Sequence, residues 1–336
     1  MIQQAVEKLS QKADLERKQM QEVMEEIMSG AAQTAEIVSF LTALSAKGET
    51  IEEVTAAVSV MRRYVTAVRT KHKVVLDTCG TGGDKKGTFN ISTAAALLVS
   101  ACGIAVAKHG NRSVSSKSGS ADCLEALGVN INLDKEEIEK CLDEVGIAFL
   151  FAQNFHPAMK YAMPARKEIG KRTVFNILGP LTNPAAATHQ LVGVYDRHWL
   201  EILAQALGNL GTTRALIVHG EDGLDEITTT GRTFISEEYK GRIKNYELTP
   251  EEFSIKRAAP EELAGGSAKD NAEIILEILG GKAGAKRDIV ILNAAAAVYA
   301  AEKVNSIKEG IALAKEAIDN GAALKKLKLL KDFSKR

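Results

Sequence analysis

The sequence is 336 residues long, 45% hydrophobic and only 5% aromatic, which exceeds one minimal domain and can fill a sizeable, mainly aliphatic core. Its 43 basic and 43 acidic side chains cancel, which argues against a general nucleic-acid binder while leaving room for a local basic groove. The four cysteines form no CxxC pair, the amino terminus has no apolar signal core, and the apolar stretches 94–107 and 289–301 fall short of the roughly 18 residues a membrane span needs; a soluble cytoplasmic protein is expected.

Residues 1 to about 70 read as helices alone. Leu15, Met20, Val23, Met24, Ile27 and Met28 recur at helical spacing, and Ala35, Val38, Leu41 and Leu44 repeat the pattern. These methionines read as helix core rather than an adaptable binding face. Thr50 followed by Glu53 forms a capping box that opens a predicted helix over 51–69. At residue 74 the texture changes. VVLD (74–77) has the pattern of a buried strand and runs into a glycine loop, followed by a helix (92–102), a strand (104–107), two helices (120–127 and 134–144) and a strand (147–151). The segment 156–184 carries four prolines and no strand pattern; it reads as short helices able to pack back on the amino-terminal ones. A helix (199–209), a strand (215–219), the strand-like TFISEE and alanine-rich helices complete the chain. Strands alternating with helices in this way predict βαβ units and a mainly parallel sheet covered on both faces. The final stretch ALKKLKLLKDFSKR has six basic residues against one acid, and is expected to dock as a helix through Leu324, Leu327 and Leu330 with its lysines in solvent.

Three loops carry chemistry. In DTCGTGGDKKGTFNIST (77–93), Gly80, Gly82 and Gly83 let backbone N–H groups approach a ligand, and Asn90 or Ser92 can cap the following helix, whose amino terminus favours an anion. The spacing fits neither a Walker A loop nor a dinucleotide fingerprint, so a phosphate or pyrophosphate cradle is expected. KHGNRSVSSKSGSADCLEALG (108–128) again follows a strand and precedes a helix. Lys108, Arg112 and the serine hydroxyls there offer donors to phosphate oxygens, at the carboxyl edge of a parallel sheet where such folds bind ligands. HGEDGLDEIT (219–228) supplies Asp222, Asp225 and Glu226 as hard oxygen ligands suited to Mg²⁺ beside a polyphosphate. On composition alone Arg166, in a base-rich segment, is a surface arginine. His109, His156 and His219 show no catalytic constellation, and Cys79 reads as a small buried residue rather than a nucleophile.

DTCGTGGD with NIST, the 108–128 loop, RKEIGKRTVFNILGPLTNP and HGEDGLDEIT, in this order, closely resemble the anthranilate phosphoribosyltransferase family, over the whole chain. The resemblance implies a small helical domain, residues 1–70 with a return near 157–185, and a larger α/β domain, residues 71–336, of the nucleoside phosphorylase/phosphoribosyltransferase kind. It implies transfer of phosphoribose from phosphoribosyl pyrophosphate to anthranilate in tryptophan biosynthesis, in a cleft between the domains. It assigns Gly80, Gly83, Asp84, Thr88, Asn90, Ile91, Ser92, Thr93, Lys108, His109, Gly110, Asn111, Arg112, Ser113, Val114, Ser115, Ser116 and Ser120 to phosphoribosyl pyrophosphate. Gly80, Asn111, Arg166 and Gly179 would face anthranilate, and Ser92, Asp225 and Glu226 would hold Mg²⁺, two ions per site. No residue is assigned as a general base, because a neutral arylamine is already nucleophilic. The resemblance also implies a homodimer through the helical domain, with no nucleic-acid or membrane partner. Two alternatives stand beside it. A pyrimidine nucleoside phosphorylase would not need the Asp225–Glu226 pair, and the GTGGD and HGN sequences count against it. A non-catalytic nucleic-acid-binding relative would carry a basic surplus, which this chain lacks.

Overall fold

The computed structural model describes residues 1–113 and 117–336. Of the four helices, Ile2–Ser10, Arg17–Ser29, Thr34–Lys47 and Ile51–Arg63, the second buries the methionine face read from its periodicity, while the third buries Leu41 and Leu44 with Ile37 and Phe40 and leaves Ala35 exposed. The capping box forms: Thr50 Oγ1 accepts from the Glu53 N–H at 3.2 Å, and a Glu53 carboxylate oxygen accepts from the Thr50 N–H at 2.8 Å. The fourth helix ends at Arg63 instead of running to 69. Beyond it the backbone pairs across the molecule, the Thr66 N–H with the Phe155 carbonyl and the Val68 N–H with the Pro184 carbonyl. Those two partners lie near the two ends of the segment 157–185, whose Met159–Ile169 helix packs on the second and third amino-terminal helices. The chain thus leaves the helical layer, returns to it and leaves again along neighbouring paths.

Seven strands form one sheet: β1 (Val75–Gly80), β2 (Ala105–Gly110), β3 (Ile147–Phe151), β4 (His189–Gly193), β5 (Arg214–Gly220), β6 (Thr233–Tyr239) and β7 (Arg242–Leu248). Their order is β3-β2-β1-β4-β5-β6-β7, parallel through β5 and antiparallel for the last two. The architecture is a small helical domain beside a larger α/β domain with a mostly parallel, mixed sheet. The alanine-rich helices Ile91–Ala101 and Ala285–Ala300 pack in the core on one face. The apolar cluster of the other face, with the Trp199–Asn209 helix, is continuous with the core of the helical layer. From β1 the strand order runs outward in both directions, so β1 and β4 flank a topological switch point, the place where open α/β sheets leave a crevice beyond their carboxyl ends.

The sequence reading contains neither β4 nor β7. β4 is central and fully buried, yet it opens on His189 and Gln190. Their polar atoms are satisfied locally: the His189 Nδ1 lies 2.8 Å from Thr188 Oγ1, and Gln190 Nε2 donates to the Pro180 carbonyl at 2.8 Å. β7 is an edge strand with mostly exposed charged residues, paired to β6 along its whole length. No helix among the described residues is long and apolar enough to cross a membrane.

Candidate active site

The loop after β1 and the acidic loop after β5 meet beyond the sheet. The Gly82 N–H donates to Asp225 Oδ2 at 2.8 Å, and the Ser92 N–H donates to Glu226 Oε1 at 3.1 Å. Glu226 therefore sits at the amino terminus of the Ile91–Ala101 helix, where the free N–H groups and the helix dipole favour negative charge. Such close approach depends on missing side chains: a Cβ on Gly193 would lie 1.6 Å from the Asp225 carbonyl oxygen, and one on Gly80 would lie 2.7 Å from Asp225 Oδ2. Both carboxyls keep some surface open to the cleft, but dense protein desolvates them and raises their pKa. Asp225 is raised further by Asp84, and Glu226 by Asp225. Asp222 does not join them. Its oxygens accept from the Leu224 N–H and the Thr228 and Thr230 hydroxyls, so it shapes the loop from within. Among the described residues no three acidic, imidazole or thiol side chains converge on one point. The acid pair with the Ser92 hydroxyl nearby suits a hard cation that takes its remaining oxygens from water and phosphate, as Mg²⁺ does.

Asn90 occupies the N-cap position, but its side chain makes no cap. It instead pairs with the neighbouring loops: Nδ2 donates to the Ser118 carbonyl at 3.2 Å, and Oδ1 accepts from Asn271 Nδ2 at 2.9 Å. Ile91 and Thr93 turn their side chains into the core, while Thr88 bridges to Ala264. Lys108, read as an open phosphate donor, is only 3% exposed. Its Nζ donates to the Thr78 carbonyl at 2.6 Å and to Ser92 Oγ at 3.3 Å, bracing the floor of the cleft. Burial lowers its pKa against the opposing pull of Asp77. Arg112, in the loop after β2, is held by the following helix Ser120–Ala126, with Asp122 at 2.8 Å and Glu125 at 2.5 Å. Asn111 accepts from the Arg112 N–H and from Gln153, and Ser120 Oγ donates back to the Asn111 carbonyl. Gly110 ends β2, and the Ser113 N–H donates to Asp122. Val114, Ser115 and Ser116 lie outside the described residues.

The structure also assembles a feature the sequence reading left scattered. His109, at the end of β2, faces His156, at the start of the return segment, with Nε2 to Nε2 at 3.1 Å. Burial pushes His109 down to about 3 and His156 down to about 4, so both are neutral at neutral pH. The His109 ring also bonds the backbone of Gly179. His219 is elsewhere, its Nδ1 2.7 Å from the Val194 carbonyl. Arg166 projects from the Met159–Ile169 helix with its Cζ 5.7 Å from the Phe175 ring centroid, and no carboxylate pairs with it among the described residues. Beneath the cleft lies Asp77, fully buried, accepting from the His109 N–H at 3.1 Å and Asn183 Nδ2 at 2.8 Å. Cys79 is buried and its pKa is driven well above the ordinary thiol value, which leaves it inert as a nucleophile at neutral pH.

Comparison with known proteins decides what kind of cleft this is. Residues 3–65 match the helical bundle domain, and residues 72–324 the a/b domain, of a glycosyl transferase family. The chain is 52% identical over 334 residues to the anthranilate phosphoribosyltransferase of Acetivibrio thermocellus, covering 99% of this chain and 97% of that one. The chain belongs to the anthranilate phosphoribosyltransferase family. The Petrotoga mobilis member is 49% identical over 329 residues, with 98% and 96% of the two chains covered. The solved Thermus thermophilus enzyme superposes with a TM-score of 0.94 at 44% identity, over 99% of both chains. The Saccharomyces cerevisiae enzyme, solved in complex with phosphoribosyl pyrophosphate and Mg, gives 0.89 at 28% identity over 99% and 98%. Membership in this family sets aside both the nucleoside phosphorylase and the nucleic-acid-binding alternatives: the chain is a glycosyltransferase.

Proposed function

We propose that this chain moves the 5-phosphoribosyl group from phosphoribosyl pyrophosphate to the amino group of anthranilate, releasing pyrophosphate, in the crevice beyond β1, β2 and β4. The observation that carries the reading is the docking of Asp225 on the glycine loop and of Glu226 on the amino terminus of the next helix. Two carboxylates held against a phosphate-type loop repel each other and any phosphate, unless a cation lies between them. Asp225 and Glu226, with Ser92, would hold Mg²⁺, two ions when substrate is present. Bound there, the metal supplies positive charge to the pyrophosphate as the bond from C1 to its oxygen breaks.

The chain's own groups do the rest. Backbone donors from Gly80 to Asp84, with Thr88, Asn90 and the helix start at Ser92, cradle the pyrophosphate and ribose phosphate, fixed in advance rather than reorganised during reaction. Lys108 holds Ser92 and the end of β1 in place beneath them, and residues 109–113 with Ser120 close the pocket. Arg166 is a guanidinium on the helical side without a carboxylate partner among the described residues, and would take the anthranilate carboxylate, with Asn111, Gly80 and Gly179 along the ring. The anthranilate amine attacks in its neutral form, so no residue is given the role of general base. The molecule divides at about residue 70, with residues 157–185 belonging to the helical domain, and this domain forms a homodimer. We place the reaction in the cytoplasm, as a step of tryptophan biosynthesis.

Anthranilate fluorescence tests the reading. It should fall only when phosphoribosyl pyrophosphate and Mg²⁺ are both present, and stop falling in excess EDTA. Undiminished turnover in EDTA would remove the acidic loop from the mechanism, and no turnover under any condition would remove the reaction.

A further inference from the structure

Arg172 lies three residues beyond the end of the Met159–Ile169 helix, after the left-handed turn at Gly170. Its guanidinium stacks over Tyr195, with Cζ 3.8 Å from the ring centroid, and its Nη2 donates to the carbonyl oxygen of Gly83 in the glycine loop. Among the described residues these are its partners; no carboxylate neutralises it. Tyr195 follows β4 and is itself fastened to the same loop. Its N–H donates to Thr81 Oγ1 at 3.1 Å, the Thr81 N–H donates to the Gly193 carbonyl at 2.9 Å, and the Tyr195 hydroxyl accepts from Trp199 Nε1 at 3.1 Å. The aromatic face therefore fixes the plane of the guanidinium, and the guanidinium fixes one peptide of the loop. Gly83 has φ +78°, and a Cβ there would come within 3.2 Å of Arg172 Nη2, so the contact also uses the missing side chain.

We infer that Arg172 is a positioning residue for the phosphate loop, clasping it to the segment that returns to the helical domain. In a planar trans peptide the C=O and N–H point to opposite sides. Pinning the Gly83 oxygen toward Arg172 therefore turns the Asp84 N–H to the far side, away from the return segment. A glycine-rich loop has many alternatives to that orientation, and this contact selects one. Because Arg172 leaves the helical side of the cleft and Gly83 the sheet side, the orientation of this peptide is tied to the relative placement of the two walls. The inference rests on the reading of this loop as the phosphoribosyl pyrophosphate site, but the geometry of the clasp can be tested without that reading.

Arg172→Ala, Arg172→Lys, Tyr195→Leu and the Arg172→Ala/Tyr195→Leu double variant test it with two measurements. The first is amide hydrogen exchange of residues 80–87 in the ligand-free protein, which should quicken in Arg172→Ala while the thermal midpoint stays unchanged. The second is steady-state kinetics. KM for phosphoribosyl pyrophosphate should rise about 10-fold, the scale of one lost charge-assisted hydrogen bond, with KM for anthranilate nearly constant. Lysine cannot reproduce a stacked planar fork and should rescue little. Tyr195→Leu should give the same split, and the double variant should be no worse than either single one, since both break the same clasp. Unchanged loop exchange in Arg172→Ala, full rescue by lysine, or strictly additive losses in the double variant would each overturn the inference. An unsubstituted protein that never consumes phosphoribosyl pyrophosphate would sink the reaction instead, and the exchange comparison would still decide whether the clasp exists.

Discussion

Arg166 illustrates how a single side chain changes meaning with its surroundings. In the sequence it is one base among several, whereas in the structure its guanidinium stands over Phe175 with no carboxylate to meet it among the described residues. If it receives the anthranilate carboxylate, Arg166→Ala should raise KM for anthranilate by about 10- to 150-fold, the range for roughly 1.5–3 kcal/mol of charge-assisted bonding. KM for phosphoribosyl pyrophosphate should barely move, and Arg166→Lys should recover part of the loss; equal losses for both substrates would make Arg166 a fold residue. The His109–His156 pair gives a second residue-scale expectation. Their pKa values in the folded protein lie below the ordinary value of about 6.5, so the unfolded chain binds protons first. Stability contributed by the neutral pair is complete above about pH 6.5 and drains away as pH falls toward 4, by roughly 3 kcal/mol for His156 alone. His156→Asn should therefore flatten the acid side of a stability–pH curve from urea unfolding, even if it costs some stability at pH 7. An acid limb as steep as that of the unsubstituted protein would show that other groups carry it. Residues within one loop, such as Gly80 to Ser92, were legible as a group because they adjoin in the sequence. The histidine pair was not, because its members lie 47 residues apart and only the fold brings them together.

Among the elements, the strand the sequence concealed seats the acidic loop. β4 carries no continuous apolar run, since its first two residues are polar and are satisfied by neighbours that the linear sequence does not reveal. β7 was hidden for the opposite reason, because an edge strand in solvent needs little apolar character. The glycine loop, the helix behind it and the strands on either side of it could be read, because glycine clusters and short apolar runs are strong local punctuation. At its carboxyl end β4 places Gly193 between Gly80 of β1 and Val218 of β5, with the Asp225 backbone resting on it. Gly193→Ala forces a methyl group into a contact that is backbone on both sides, with no flexible side chain able to yield. The expected cost is roughly 1–3 kcal/mol, seen as a lower thermal midpoint, together with a raised Mg²⁺ requirement as the acidic loop lifts. Gly179→Ala is the control, since a Cβ there meets nothing within 4 Å; its midpoint should not change. A Gly193→Ala protein with wild-type midpoint and Mg²⁺ dependence would mean that the acidic loop can shift without consequence.

At the scale of the whole molecule, the two walls of the cleft are connected by neighbouring chain paths, and the return was legible as a proline-rich segment of short helices able to pack back on the amino-terminal ones. The helical layer also offers a surface of its own. Between the first and third helices runs a groove lined by Val6, Leu9, Val38, Ala43 and Ala46 together with Ser10, Lys12, Ser39 and Thr42. Small and aliphatic side chains with little charge at the centre are what an interface between helices requires, since two such faces can approach closely without stranding ions. If the groove seats the same face of a second copy, the protein should elute with a mass near twice 36.1 kDa by light scattering. Val38→Glu or Ala43→Glu should shift it to the single-chain mass, because symmetry places each new carboxylate in both halves of the contact and desolvates two charges at once. Circular dichroism unchanged from the parent would separate loss of assembly from loss of fold. Since the groove lies on the helical layer and not beside Asp225 or Arg172, the monomer should keep much of its turnover at low temperature and lose it sooner on heating. A parent protein that runs as a monomer, or glutamate variants that remain dimers, would place the contact elsewhere or abolish it.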